Sequence, residues 1–117
     1  MFNIRKEQLD ALSQASLKSF EERVVTHLRK FFAPQCIALG DIKVRETIHL
    51  GIERAKSYGI TTERDVCKYT DLMVAFGSDF DRDPSLAWAQ AILSDPELEN
   101  PAEKIDALYD QGMASFV

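Results

Sequence analysis

The chain has 117 residues, of which 45% are hydrophobic and 28% are charged, and this mixture is typical of one globular domain. It contains no run of roughly 18 apolar residues, which argues against a membrane-spanning helix and against a membrane partner. Its first residues are charged and lack the apolar core of a signal peptide. We therefore expect one domain over residues 1–117, located in the cytoplasm.

Charge is spread unevenly along the chain, whose formal net charge is −5. Residues 1–60 carry 10 Lys and Arg against 7 Asp and Glu, a balance of +3, and residues 61–117 carry 4 against 12, a balance of −8. The pattern predicts an acidic face that attracts a basic partner. It argues against nucleic acid, which needs a concentrated basic patch. The alternative is that solvated faces and acidic helix starts account for the asymmetry.

Apolar residues recur every three or four positions in five segments, which is the spacing that gives a helix one buried face. The dipeptides Asn-Gly and Asp-Gly, which signal β-hairpins, do not occur. The sequence therefore predicts an all-α fold, a compact bundle of about five helices. In chain order, helices are expected near residues 5–32, with a break near Ser16–Ser19, and near 42–58, 62–76, 84–94 and 101–113.

Local capping chemistry predicts where these helices begin and end. Pro34 is expected to stop the first helix, because proline cannot donate the backbone hydrogen bond of a helix interior. Gly59 and Gly77 follow the second and third helices, where glycine adopts the left-handed conformation that closes a helix. Helix starts are predicted by capping side chains, with or without a following proline, at Asn3, Asp41, Thr62 with Asp65, Asp83-Pro84 and Asn100-Pro101.

Two histidines and two cysteines are the candidates for catalysis or metal binding. His49 and Glu53 lie four residues apart, so on a helix they share a face, where a carboxylate can orient an imidazole as general base. Such a pair is common by chance, and His27 is interpreted as an ordinary half-buried histidine. Cys36 and Cys67 have no CxxC partner, which indicates two small buried side chains rather than a disulfide or a zinc site. The sequence thus predicts no metal, no cofactor and no defined catalytic residue.

The loop before the fourth helix carries alternating aspartates, Asp79, Asp81 and Asp83, as in the first half of a calcium-binding loop. The remaining positions do not fit, because Pro84 stands where the sharp turn needs glycine and the closing bidentate glutamate is missing. The alternative is a polar connection between helices in which Phe80 is anchored in the core.

Six residues are candidates for contacts with a protein partner. Trp and Tyr are favoured in binding hot spots, and acidic side chains select a basic partner through complementary charge. The candidates are Tyr58, Asp79, Phe80, Asp81, Asp83 and Trp88. Packing in the core is the alternative for Trp88, and a simple helix connection is the alternative for the turn at Tyr58.

Several stretches carry a resemblance to a known family. They are IHLGIERA at 48–55, YGITTERDV at 58–66 and FGSDFD at 76–81, followed by Asp83-Pro84 and Trp88-Ala89. In these stretches the chain resembles small helical proteins encoded in Gram-negative type VI secretion loci, beside spike, PAAR and effector-adaptor genes. The resemblance extends from Phe20 to Leu108. It implies a role near effector loading, as a chaperone or co-chaperone, or as an immunity protein, and it carries over no catalytic residue.

The leading hypothesis is a protein-binding accessory factor of type VI secretion that binds an effector or its adaptor chaperone. A first alternative is an immunity protein that neutralises a cognate toxin, and a second is a small enzyme that uses His49 and Glu53. A homodimer is possible, because a chain of this size with many aromatic residues can leave an apolar patch exposed.

Overall fold

A computed structural model of the chain describes residues 14–116. Six α-helices form a compact, all-helical body in this range, which confirms the predicted fold class and comes close to the predicted number of helices. Asn3 and the beginning of the first predicted helix lie outside the described residues. The helices are α1 (Gln14–Phe31), α2 (Ala33–Leu39), α3 (Asp41–Ser57), α4 (Glu63–Phe76), α5 (Ala87–Leu93) and α6 (Pro101–Ser115).

The first predicted helix ends where Pro34 indicated, but two details of this region were predicted wrongly. The helix α1 has no break near Ser16–Ser19. After a change of direction at Phe32, whose φ and ψ are −133° and 42°, the unpredicted helix α2 begins with Pro34 in its first turn. Proline is tolerated there because the first N–H groups of a helix have no partner within the helix. Gly40, with a φ of 84°, then joins α2 to α3.

Later helix boundaries follow the predicted capping chemistry. The hydroxyl of Thr62 accepts a hydrogen bond from the backbone N–H of Asp65 at 3.3 Å. Asp83 and Asn100 each accept one from the backbone N–H two residues further on, at 2.9 Å. The fourth predicted helix is divided, since the 3-10 turn Pro84–Leu86 precedes α5. The two glycines predicted to close helices have φ values of 79° and 105°: Gly59 and Gly77.

Helix α4 lies at the centre of the fold, between α1, α2, α3 and α6. Ten of its 14 residues are buried. Two glycines let its neighbours approach closely: a Cβ atom at Gly51 would lie 2.6 Å from the hydroxyl of Thr70, and one at Gly112 would lie 2.5 Å from Leu72 Cδ2. Because α4 is enclosed, its polar side chains need partners from other helices. Within residues 14–116, none of the helices is both long and apolar enough to cross a membrane.

Candidate protein-binding surface

The turn from α1 through α2 into α3 exposes an unusual amount of apolar surface. Residues 31–40 contain no charged side chain. Among the described residues, five large hydrophobic side chains are exposed, and four of them lie between positions 31 and 42. Isolated exposed hydrophobic residues are ordinary, whereas a group of them indicates an interaction site. We call this group the apolar corner; its members and exposed fractions are Phe31 (60%), Ile37 (82%), Leu39 (38%) and Ile42 (76%).

The short length of α2 explains why the apolar corner is exposed. Cys36 is the one buried residue of this seven-residue helix. Phe32, just before it, is also buried, and its ring lies 5.6 Å from that of Phe116, which follows α6. Ile37, the next residue of α2 after Cys36, points outward at a position where a polar residue would be usual. A shallow groove beside this helix is lined by Ala33, Cys36, Ile37, Gly40 and Val44, together with the charged residues Arg29 and Asp41.

Charged side chains around the apolar corner neutralise one another. The carboxylate of Asp41 accepts hydrogen bonds from Arg29 at 2.5 Å and from Arg45 at 3.1 Å. Lys43 and Glu46 form an ion pair at 3.7 Å. These pairs neutralise part of the rim, and the ammonium of Lys30 lies 5.4 Å from the centre of the Phe31 ring. Removal of apolar surface from water would still dominate binding at this place.

The acidic half of the chain places its charge on α6 and the loop before it. Residues 95–110 carry six acidic side chains and one cation, Lys104, whose ammonium group donates to the backbone carbonyl of Leu93 at 3.0 Å. Positions 103, 106 and 110 are three and four residues apart and share one helix face. Lys68 of α4 neutralises Asp106 at 2.6 Å. We call the following residues the acidic stripe: Glu99, Glu103, Asp106 and Asp110.

Two of the six predicted contact residues are buried. Phe80 is fully enclosed and its ring lies 5.1 Å from that of Tyr69. Asp81 is buried and accepts a hydrogen bond from the hydroxyl of Tyr58 at 2.6 Å. Burial, together with this bond, raises the pKa of Tyr58 to about 12. In this fold Phe80 and Asp81 thus hold the loop in place, which is the alternative considered for Phe80, and they offer no surface to a partner.

The remaining loop aspartates reach the surface but already have local partners. Arg54 of α3 donates to the carboxylate of Asp79 at 2.5 Å and to the backbone carbonyl of Ser78 at 2.6 Å, which fastens the loop to α3. Asp83 accepts from both the backbone and the hydroxyl of Ser85. Arg54 thus faces both Asp79 and Asp81, whereas Asp83 caps the following turn, and an arginine between the first two carboxylates does not suit a calcium site.

Trp88 is half-buried, and its ring packs edge-on against Phe76 at 5.5 Å. Since Tyr58 and Trp88 are both partly enclosed, neither projects outward as the side chains of the apolar corner do. Tyr58 and Trp88 were predicted as contact residues because tyrosine and tryptophan are favoured in binding hot spots. The uncharged stretch 31–40 was the signal that could have located the exposed surface.

His49, which was predicted to pair with Glu53 as a catalytic group, has its partner on another helix. His49 is exposed, and its Nε2 atom contacts the carboxylate of Glu21 on α1. The bond from His49 therefore runs to another helix and not to Glu53 within its own. Cys36 and Cys67 are both buried and free, as predicted.

Comparisons of the chain with models of protein families, with curated proteins and with solved structures gave no match. The function is therefore inferred from the apolar corner, from the acidic stripe and from the sequence resemblance.

Proposed function

We propose that the chain is a protein-binding accessory factor of type VI secretion that binds an effector, or the adaptor of an effector, through the apolar corner. The observation that carries the proposal is the exposure of Ile37 and Ile42, of which 82% and 76% of the surface faces solvent. The link to type VI secretion rests on the resemblance of the sequence.

The chemistry of the apolar corner favours an amphipathic helix as the bound segment. Burial of one isoleucine side chain contributes roughly 1.5–3 kcal/mol, and a short groove beside an apolar helix accepts side chains spaced three and four residues apart. The carboxylate of Asp41 at the rim is already paired with Arg29 and Arg45. The partner helix would therefore present an apolar face and keep its charges away from the groove.

The acidic stripe adds a second property to the expected partner. Glu103 and Asp110 are exposed, and the chain as a whole carries −5. Complementary charge mainly accelerates and selects the encounter, while buried apolar contacts supply most of the affinity. We therefore expect the effector or adaptor to carry a basic surface that faces the acidic stripe, separate from its apolar segment.

The first experiment is co-expression of the tagged chain with the effector and the adaptor encoded beside it, followed by co-purification. Replacement of Ile37 and Ile42 by Glu should remove the partner from the purified complex. Leu50→Glu is the matched control, because Leu50 is an exposed apolar residue (37%) outside the apolar corner, and it should retain the partner. Circular dichroism checks that all variants are folded.

The oligomeric state of the purified chain tests whether a second copy of the chain, rather than an effector or adaptor, covers the apolar corner. If the purified chain is a dimer that dissociates when Ile37 and Ile42 are replaced, a second copy covers the apolar corner and the proposal is wrong. A monomeric chain that retains its partner despite both replacements would also contradict it.

A second candidate function is supported by the acidic stripe. An immunity protein that blocks a basic toxin needs a negatively charged surface, and the exposed Glu103 and Asp110 provide one. Expression of the cognate toxin with and without this chain distinguishes the two functions. Rescue of growth supports immunity, whereas altered secretion of the effector without rescue supports the chaperone role.

A further inference from the structure

A buried polar cluster lies between α1, α4 and α6, and its His27 ring borders the apolar corner at Phe31. The Nε2 atom of His27 lies 2.9 Å from both carboxylate oxygens of Asp71. The hydroxyl of Tyr109 donates to the same carboxylate at 3.1 Å. Cys67 precedes Asp71 by one helical turn, so both side chains project from one face of α4. One ligand atom from each of His27, Cys67 and Asp71 lies within 4.8 Å of the others.

We propose that His27, Cys67 and Asp71 form a binding site for one zinc ion. Imidazole nitrogen, thiolate sulfur and carboxylate oxygen are the ligands that zinc takes in proteins, whereas magnesium and calcium take oxygen ligands. The site shares no residue with the apolar corner, although the ring of its ligand His27 lies 5.1 Å from that of Phe31.

The nitrogen and oxygen atoms are nearly as far apart as in a tetrahedral zinc site, and the sulfur lies within 4.8 Å of both. Zinc–nitrogen and zinc–oxygen bonds of about 2.0–2.1 Å place two ligand atoms about 3.3 Å apart, and zinc–sulfur bonds of about 2.3 Å place sulfur slightly further away. His27 Nε2 and the carboxylate of Asp71 are 2.9 Å apart, so they need to separate by roughly 0.4 Å. Rotation about side-chain bonds is sufficient for a movement of this size.

Burial and charge also favour a cation at this position. Asp71 and Cys67 are only 1% and 2% exposed. Burial removes water from both groups, so solvent does not stabilise their anionic forms. A zinc ion would stabilise the carboxylate and the thiolate together. The proton of the thiol would leave to solvent as the zinc–sulfur bond forms, and the proton that His27 Nε2 shares with Asp71 would be displaced to Nδ1 or, from an imidazolium, to solvent.

Tyr109 acts on the site through Asp71. Its hydroxyl holds one carboxylate oxygen, in the manner of the outer hydrogen bonds that orient metal ligands in known sites. Three protein ligands leave a fourth position, which water can occupy. His27 is the most exposed of the three ligands, with 13% of its side chain accessible, and so marks the side from which an ion enters.

No local sequence motif indicates this site, because His27 lies 40 residues before Cys67 and 44 before Asp71. The prediction of no metal was based on the spacing of possible ligands along the sequence. These three ligands come together only through the packing of α1 against α4.

The chain offers an unusually well-matched test, since it has two histidines and two cysteines. After treatment with a chelator, the full chain is titrated with Zn²⁺ by calorimetry and in competition with a chromophoric chelator. We expect one equivalent to bind. Cys67→Ser and His27→Gln should each weaken binding by more than the ~10–100-fold that loss of an outer-shell partner costs. Cys36→Ser and His49→Gln should leave it unchanged.

Cobalt provides a readout of the ligands themselves. Co²⁺ bound to the wild-type chain and to Cys36→Ser should show the absorption band of thiolate coordination, which Cys67→Ser should lack. Tyr109→Phe should weaken Zn²⁺ binding by about 10-fold without removing that band.

The proposal is wrong if the wild-type chain binds no stoichiometric zinc, since the cluster is then a hydrogen-bonded connection between helices only. It is also wrong if both Cys67→Ser and Cys36→Ser retain wild-type affinity. Circular dichroism of each variant shows whether it is folded, and the isosteric Cys67→Ser decides the matter where His27→Gln does not fold.

Discussion

Arg23 of α1 and Glu63, the first residue of α4, form a two-bond ion pair with N–O distances of 3.0 and 2.9 Å, although Glu63 is completely buried. About 20% of the Arg23 side chain is exposed. The carboxylate also lies at a helix N-terminus, where the backbone dipoles favour negative charge. This pair connects the outer helix α1 to the central helix α4.

Loss of one partner of this pair should be strongly destabilising. Glu63→Gln keeps the shape of the side chain but removes the buried negative charge that faces the Arg23 guanidinium, which should lower the free energy of unfolding by about 3 kcal/mol. Urea denaturation measures this value. The matched control is Glu46→Gln, because Glu46 pairs with Lys43 at the surface, where the expected change is below ~1 kcal/mol. Equal effects of the two changes would contradict the structural role given to Glu63.

Close packing of α6 against α4 predicts that Gly112→Ala is destabilising. The added Cβ would lie 2.5 Å from Leu72 Cδ2 and 3.2 Å from the Trp88 ring. Overpacking of this kind costs about 1–3 kcal/mol, against the gain of up to ~1 kcal/mol that alanine normally brings to a helix. The midpoint of thermal unfolding should therefore fall. Gln111→Ala, at the exposed neighbouring position, should leave it unchanged or raise it. A Gly112→Ala variant as stable as wild type would show that the two helices are further apart.

The three tyrosines predict that the fold loses its stability abruptly at alkaline pH. The pKa of Tyr58 is about 12, and burial raises the pKa values of Tyr69 and Tyr109 further above the ordinary value. In the unfolded chain all three lose their protons near pH 10. The folded state therefore binds more protons above that pH, so stability decreases as the pH rises from about 10 towards 12. Tyrosinate absorbance should stay low near pH 10 and rise together with the loss of helical circular dichroism. A tyrosine that ionises near pH 10 with the helical signal intact would contradict this account.

How far the sequence predicted the fold depended on whether the signal was local. Thr62, Asp83 and Asn100 were identified because an N-cap needs only a side-chain oxygen and the next turn of backbone. The missed helix α2 shows the opposite case, since Pro34 was interpreted as a helix end although proline also suits a first turn. In the loop at 79–83, exposure depends on packing, and sequence alone did not show that Asp81 and Phe80 are buried.

The acidic stripe predicts a rate effect that is distinct from the affinity supplied by the apolar corner. Glu103→Lys together with Asp110→Lys should slow association with a basic effector or adaptor by about 10-fold or more at low salt, and the difference should shrink as salt screens the charges. Glu53→Lys, an exposed change of the same kind on α3, is the control. Stopped-flow or biosensor kinetics over a range of salt concentrations provide the rates. An association rate of the wild-type chain that does not respond to salt would contradict the steering role.

The most direct test of the central claim is the affinity of the purified effector or adaptor for single variants of the apolar corner. Ile37→Glu and Ile42→Glu should each raise the Kd by about 30-fold, as expected for a hot-spot residue worth roughly 2 kcal/mol, while Leu50→Glu should change it by less than about 3-fold. Calorimetry with the folded variants gives these values. Unchanged Kd values for both isoleucine variants would show that the partner binds elsewhere and that the apolar corner is not the functional surface.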